Sequence, residues 1–317
     1  MLARRWLERA RPWVDRNVLA PVGLAVETVR VVRVRSEIAF VRQRARVHRR
    51  FPAPIVERPG PRVLAVLTHV AGPETETNDS AHRLEQTLDG LLESLGHTRL
   101  ELVLNTLPDR HVAADLPEHL RSRLVVREQH DVEPLFLGFR GQDELVRRAE
   151  DADWFLYLED DLVLGDSFFL EKLEYFNAGA PARSVLLPNR YELWQGRKVY
   201  IDQWSRKRDF DPAWGRLTAL ELGDWKFAEF VNPHSGCYCL SHAQLRRWLA
   251  TGRQWYGLAS YAGPREGAAT GSLEECFRLY KPHPDNSHFL EIRHQGTKYA
   301  ELYSQVHDLE SSATPQS

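Results

Sequence analysis

Three consecutive carboxylates, Glu159, Asp160 and Asp161, stand between two apolar runs, Trp154 to Leu158 and Leu162 to Leu164. Acids this close repel one another, and apolar surroundings make their ionised forms costly to desolvate. A divalent cation relieves both problems, and hard oxygen ligands suit Mg²⁺ or Mn²⁺. Trp154 to Leu158 has the composition of a buried strand. In open α/β sheets, ligands sit at the carboxyl ends of such strands. The competing reading is an acidic helix start, favoured by the helix dipole and capped by Asp166 or Ser167. The apolar strand before the triplet and the amphipathic stretch after it favour the metal.

Glu159-Asp-Asp-Leu162, followed by Asp166-Ser-Phe-Phe169 and Tyr175-Phe176, resembles the donor-site motif of metal-dependent GT-A glycosyltransferases, that of the N-acetylglucosaminyltransferase I family in particular. Over about residues 61–300 the wider pattern is that of family 2-like glycosyltransferases. The resemblance implies a Rossmann-like α/β fold with a mostly parallel central sheet flanked by helices. It implies a nucleotide-sugar donor, a UDP-sugar by preference, and inverting transfer to an acceptor hydroxyl. Asp161 would hold Mn²⁺ or Mg²⁺, helped by Asp160 and by a late histidine, His294. Glu159 and Asp160 would meet ribose or donor-sugar hydroxyls.

Four further stretches take roles by the same resemblance. The loop after the first strand would place Thr68 and His69 beside the donor, although an ordinary surface loop fits the residues equally. Gly236, ahead of Cys237 to Leu240, resembles a glycine segment where backbone approaches the sugar. A simple tight turn is the alternative. Glu274-Glu275 is similar to an acid pair whose second member is the catalytic base, with Glu here in place of Asp. Glu275 is favoured over Glu274, yet Ser272 with Glu275 also spells a helix capping box. His294 precedes Gly296 in the last predicted strand, and neutral imidazole is a fair Mn²⁺ ligand. His283 and His288 compete with it.

The elements that must position these groups alternate. Strands are predicted at Arg62 to Thr68, Leu100 to Leu104, Leu124 to Val126, Trp154 to Leu158 and Val185 to Leu187. Helices are predicted to about Leu95, over 141–150, from Phe168 to Phe176 and over 241–249. Leu84, Leu88, Leu91, Leu92 and Leu95 give the first helix one apolar face. A parallel-sheet α/β domain follows. Residues 189–230 are rich in aromatics and bases, suited to sugar stacking and a phosphorylated acceptor, or to core and solvated charge.

The 317-residue chain carries a net charge of −2 and three cysteines, Cys237, Cys239 and Cys276. Neither charge nor motif points to nucleic acid. The odd cysteine count without framework spacing indicates a reducing compartment. Residues 1–50 hold thirteen basic against four acidic side chains. They read as a basic helix that rests on an anionic membrane or docks on the catalytic domain. No run there is long and apolar enough for an anchor. The expected organisation is an N-terminal helical extension and linker (1–58), the GT-A domain (59–307) and a disordered tail (308–317). The expected setting is the cytoplasm, peripherally on a membrane, with a glycan or lipid-linked sugar as acceptor. The rival functions are a sugar nucleotidyltransferase and an inactive nucleotide-sugar binding module. The acidic stretch after the first strand lacks the Gly-rich basic loop that the former needs.

Overall fold

The computed structural model describes residues 60–72, 77–203, 219–230, 233–251 and 263–303. The basic segment 1–50, the linker to residue 59, the tail and the aromatics Trp204 and Trp214 lie outside these residues.

In chain order the elements are β1 (Arg62–Thr68), α1 (Thr77–Leu95), β2 (Arg99–Thr106), β3 (Leu124–Glu128), α2 (Leu137–Arg147), β4 (Trp154–Glu159), β5 (Leu162–Val163) and α3 (Phe169–Gly179). Then come β6 (Ser184–Leu186), β7 (Asn189–Trp194), β8 (Arg197–Tyr200), β9 (Ala219–Leu222), β10 (Trp225–Ala228), β11 (Cys237–Ser241) and α4 (His242–Leu249). A helical stretch from Pro264 to Glu274, β12 (Arg278–Pro282) and β13 (Glu291–His294) follow.

The central sheet has the order β11-β4-β1-β2-β3. β1 to β4 run parallel and β11 runs antiparallel to β4. The expected fold class, α/β with a mostly parallel central sheet flanked by helices, is the one found. Val63 to Leu67 and Trp154 to Leu158 are buried on both faces, as the continuous apolar runs require. Leu84, Leu88, Leu91 and Leu95 of α1 are fully buried beneath one face. Each contributes about 2 kcal/mol of burial. Cys237 and Cys239 occupy alternate positions of β11, and both thiols are buried and free.

Two smaller mixed sheets complete the fold, with orders β6-β12-β10-β9 and β5-β13-β7-β8. The aromatic-rich region builds them, so Phe227 and Phe230 are core and Trp225 packs on Phe289 at 4.7 Å between ring centroids.

Several expectations are corrected. α2 begins at Leu137, four residues ahead of its predicted start. His288 is in a 3₁₀ segment, and the last strand is only Glu291–His294. The capping box at Ser272 does not form. Gly271 already has helical angles (φ −57°, ψ −36°), so the helix runs through it from Pro264. The Ser272 hydroxyl instead accepts from the Gln142 side-chain amide at 2.7 Å. A capping box forms instead at Ser241, with Gln244 as the reciprocal partner of that N-cap, so the helix predicted over 241–249 starts at His242.

Candidate active site

β1 and β4 lie side by side with Thr68 opposite Glu159. From β1 the chain steps outward through β2 to β3, then returns to the other side of β1 as β4. The strand order therefore reverses between β1 and β4, the place where open sheets hold ligands. The triplet Glu159–Asp161 leaves β4 at this point.

Its backbone is held from three directions. The Glu159 N–H donates to the Gly236 carbonyl at 2.9 Å. The Thr87 hydroxyl of α1 donates to the Asp160 carbonyl at 2.9 Å. The Gln295 N–H donates to the Asp161 carbonyl at 2.7 Å. The Gln295 side chain closes the ring by donating to Thr87 Oγ1 at 2.8 Å. One turn further along α1, a Cβ at Gly90 would stand 2.5 Å from the Leu164 carbonyl oxygen, so only glycine permits this approach.

The three carboxylates face different partners. Asp160 Oδ2 accepts from His69 Nδ1 at 2.5 Å. Asp161 Oδ2 stands 3.4 Å from His294 Nε2, while Oδ1 is buried without a partner among the described residues. Glu159 lies against Gly236, whose φ of +61° suits glycine and whose added Cβ would be 2.6 Å from Glu159 Oε2. Burial, then the neighbouring Asp161, pushes Glu159 up to about 8, against the opposing charge of Arg190. Burial also opposes ionisation of Asp161, but the His294 hydrogen bond and charge outweigh it and hold the group below its usual range.

His294 is oriented from behind. Its Nδ1 donates to Glu192 Oε1 at 2.8 Å, and Glu192 is fully buried. Glu192 Oε2 accepts in turn from the Ala300 N–H at 2.6 Å. Nε2 is thereby aimed at Asp161, the arrangement in which a second carboxylate orients a histidine ligand.

A buried ion triad lies alongside. The Arg190 guanidinium donates to Asp202 Oδ1 through Nε and Nη2, at 3.0 and 2.8 Å. Lys281 Nζ donates to Asp202 Oδ2 at 2.6 Å and to the His234 carbonyl at 2.9 Å. Burial alone would raise Asp202, but Arg190 and Lys281 hold it at about 2. Lys281 shares that one negative charge with Arg190, and burial pushes it down to about 8. Burial, then Arg190, presses His234 down to about 3, so its ring is neutral.

The structure thus brings together Thr68, His69, Glu159, Asp160, Asp161, Gly236 and His294. It does not bring Glu274 or Glu275 to them. Both are exposed, at the end of the helical stretch just before β12. Arg278 there donates its N–H to the Arg183 carbonyl, at the end of β12 opposite Lys281. Glu192, Asp202 and Lys281 were not singled out from sequence. Only Lys281 left a trace, a charge set between Leu279-Tyr280 and Pro282 inside β12.

Among the described residues no three His, Cys, Asp or Glu side chains are grouped to hold a metal ion. A carboxylate and an imidazole do meet at Asp161 and His294, with Asp161 Oδ1 unpartnered. That set fits a cation with two protein ligands and the rest from water and phosphate, provided the cation displaces the proton that Asp161 and Glu192 hold on His294.

No family model matches the chain, and no curated protein matches it. Solved structures with similarity include mannose-1-phosphate geranyltransferase from Thermus thermophilus, 16% identical with a TM-score of 0.37 over 70% of this chain and 73% of that one. CMP:2-keto-3-deoxy-manno-octonic acid synthetase complexed with CTP is 11% identical, with a TM-score of 0.37 over 80% of this chain and 100% of that one. A galactosyltransferase, LgtC, in complex with donor and acceptor sugar analogues is 10% identical, with a TM-score of 0.35 over 74% and 86%.

Proposed function

We propose that this protein is a divalent-metal-dependent GT-A glycosyltransferase that uses a nucleotide-sugar donor, a UDP-sugar by preference. The observation that carries the reading is the acid triplet at the β1/β4 reversal, with Asp161 facing a histidine whose far nitrogen a buried carboxylate fixes.

In this reading Asp161 and His294 hold the cation. When bound, the metal neutralises the diphosphate leaving group. Glu159, set against Gly236 and raised in pKa, exchanges hydrogen bonds with donor-sugar hydroxyls. Asp160 takes the ribose hydroxyls. The acceptor enters from the open side of the triplet, as a glycan or lipid-linked sugar.

The test is a screen of the purified protein against UDP-, GDP- and dTDP-sugars with Mn²⁺ and with EDTA. Metal-dependent binding and turnover of a UDP-sugar is the expected result. Binding unaffected by EDTA sinks the metal reading, and release of diphosphate from a nucleotide triphosphate and a sugar phosphate would make the protein a nucleotidyltransferase. Among the described residues no helix is long and apolar enough to cross a membrane. The basic segment 1–50 is proposed to rest on an anionic surface, at about 1 kcal/mol per basic residue near it. Vesicle co-sedimentation that is lost on removing residues 1–58, and weakened by salt, checks this.

A further inference from the structure

His69 continues β1, and its N–H donates to the Asn105 carbonyl at 3.0 Å, so its backbone belongs to the rigid sheet. Only 1% of the residue is exposed. Nδ1 meets Asp160 Oδ2 at 2.5 Å, while Nε2 is buried and has no partner among the described residues. A buried ring nitrogen without a partner is unfavourable. An apolar side chain would serve packing better, so packing does not account for an imidazole here. Asp160, in contrast, needs a donor. It stands between two other acids, and repulsion would turn its carboxylate outward. Its carbonyl is already fixed by Thr87, and His69 is what fixes the side chain.

We propose that His69 is a positioning residue rather than a donor contact: it locks Asp160 through Oδ2, leaving Oδ1 to the ligand at the β1/β4 crevice. The expected role of His69 beside the donor thereby becomes indirect. The inference rests on the glycosyltransferase reading only in taking the triplet as the ligand site.

The test uses the full chain and UDP with Mn²⁺ as the probe, with affinity read by calorimetry and folding by melting temperature. An asparagine amide nitrogen stands where Nδ1 stands, and a glutamine amide stands nearer Nε2. His69→Asn should bind within about threefold of the native protein, and His69→Gln should bind about 10–100-fold more weakly, as for other residues that orient a ligand-binding group. In an Asp160→Ala background both substitutions should become silent, because coupled residues lose their effect when the partner is gone. A His69→Gln loss that persists undiminished beside Asp160→Ala overturns the proposal. So does His69→Asn binding as weakly as His69→Gln. Where His69→Gln fails to fold, His69→Ala, which offers Asp160 no donor, takes its place: a loss that persists undiminished beside Asp160→Ala overturns the proposal. Unchanged binding by Asp160→Ala alone would sink the reading of the triplet itself, and the proposal with it.

Discussion

Glu192 accepts a hydrogen bond from His294 Nδ1 at 2.8 Å, and that bond turns the opposite nitrogen toward Asp161. Neither residue lies near Asp161 in sequence. The register of β7 against β13, with Arg190 opposite Ile292, and of β13 against β5, with His294 opposite Leu162, brings the three together.

Replacing Glu192 with Gln keeps its shape and removes its charge. Mn²⁺ affinity, read directly by electron paramagnetic resonance, should fall about 10–100-fold with the fold intact. Asp161→Ala, which removes a ligand outright, should fall further. Equal Mn²⁺ binding by Glu192→Gln and the native chain would show that the Glu192 charge does not support His294 as a ligand.

Gly236→Ala is expected to weaken both stability and donor binding. The left-handed backbone costs about 1–2 kcal/mol for a residue with a Cβ. The new methyl would also stand 2.6 Å from Glu159 Oε2, so that carboxyl must move. Thermal melting and UDP-sugar titration, taken together, should show both losses. A variant that melts lower but binds UDP-sugar normally would free Glu159 of its proposed role.

Asp202 makes an acid-stability prediction. Its folded pKa is about 2, below the ordinary 3.8. A depressed carboxylate stabilises the fold fully above its unfolded pKa, and that contribution is lost as pH falls through the folded pKa. The window is therefore roughly pH 4 to 2, and the amount is on the order of 2 kcal/mol. Asp202→Asn removes the pH-dependent part and leaves Arg190 and Lys281 buried without a counter-charge, at a cost of about 3–5 kcal/mol. Denaturant melts between pH 2 and 7 on both forms measure it. A native acid limb that the variant reproduces would assign the effect to other carboxylates.

Glu274→Gln and Glu275→Gln should change UDP-sugar binding little and lower the melting temperature by no more than a degree or so, since both residues are exposed at the wrong end of β12. Loss of a general base would cost about 10²–10⁴-fold in rate. Such a loss in kcat for Glu275→Gln would restore the role that the acid-pair resemblance gave it.

The strand Trp154–Glu159 and its acid terminus were legible because the apolar run is continuous and its end abrupt. Thr68, His69 and the triplet each end a strand that its apolar run announces, but it is the pairing of β1 with β4 that sets them side by side. His294 was legible as a candidate beside the triplet, but the orientation that Glu192 gives it was not. Glu192 is one acid among aromatics, and only strand pairing across a hundred residues reveals its task. Ser272 misled for a physical reason: Ser with Glu three residues on marks a helix start only if the preceding residue is not helical, and Gly271 is. The Arg190–Asp202–Lys281 triad was hidden because its three charges come from β7, the turn after β8, and β12.

The ring of hydrogen bonds through Thr87, Asp160, Asp161 and Gln295 has a kinetic consequence. A chain synthesised only as far as Ser241 already contains every strand of the central sheet. It still lacks Gln295, which spans more than two hundred residues to reach Thr87. Closing so long a loop is entropically slow relative to local pairing. Sheet formation and the onset of ligand affinity should thus be separate events in refolding, with the acid turn free to rearrange until β13 docks.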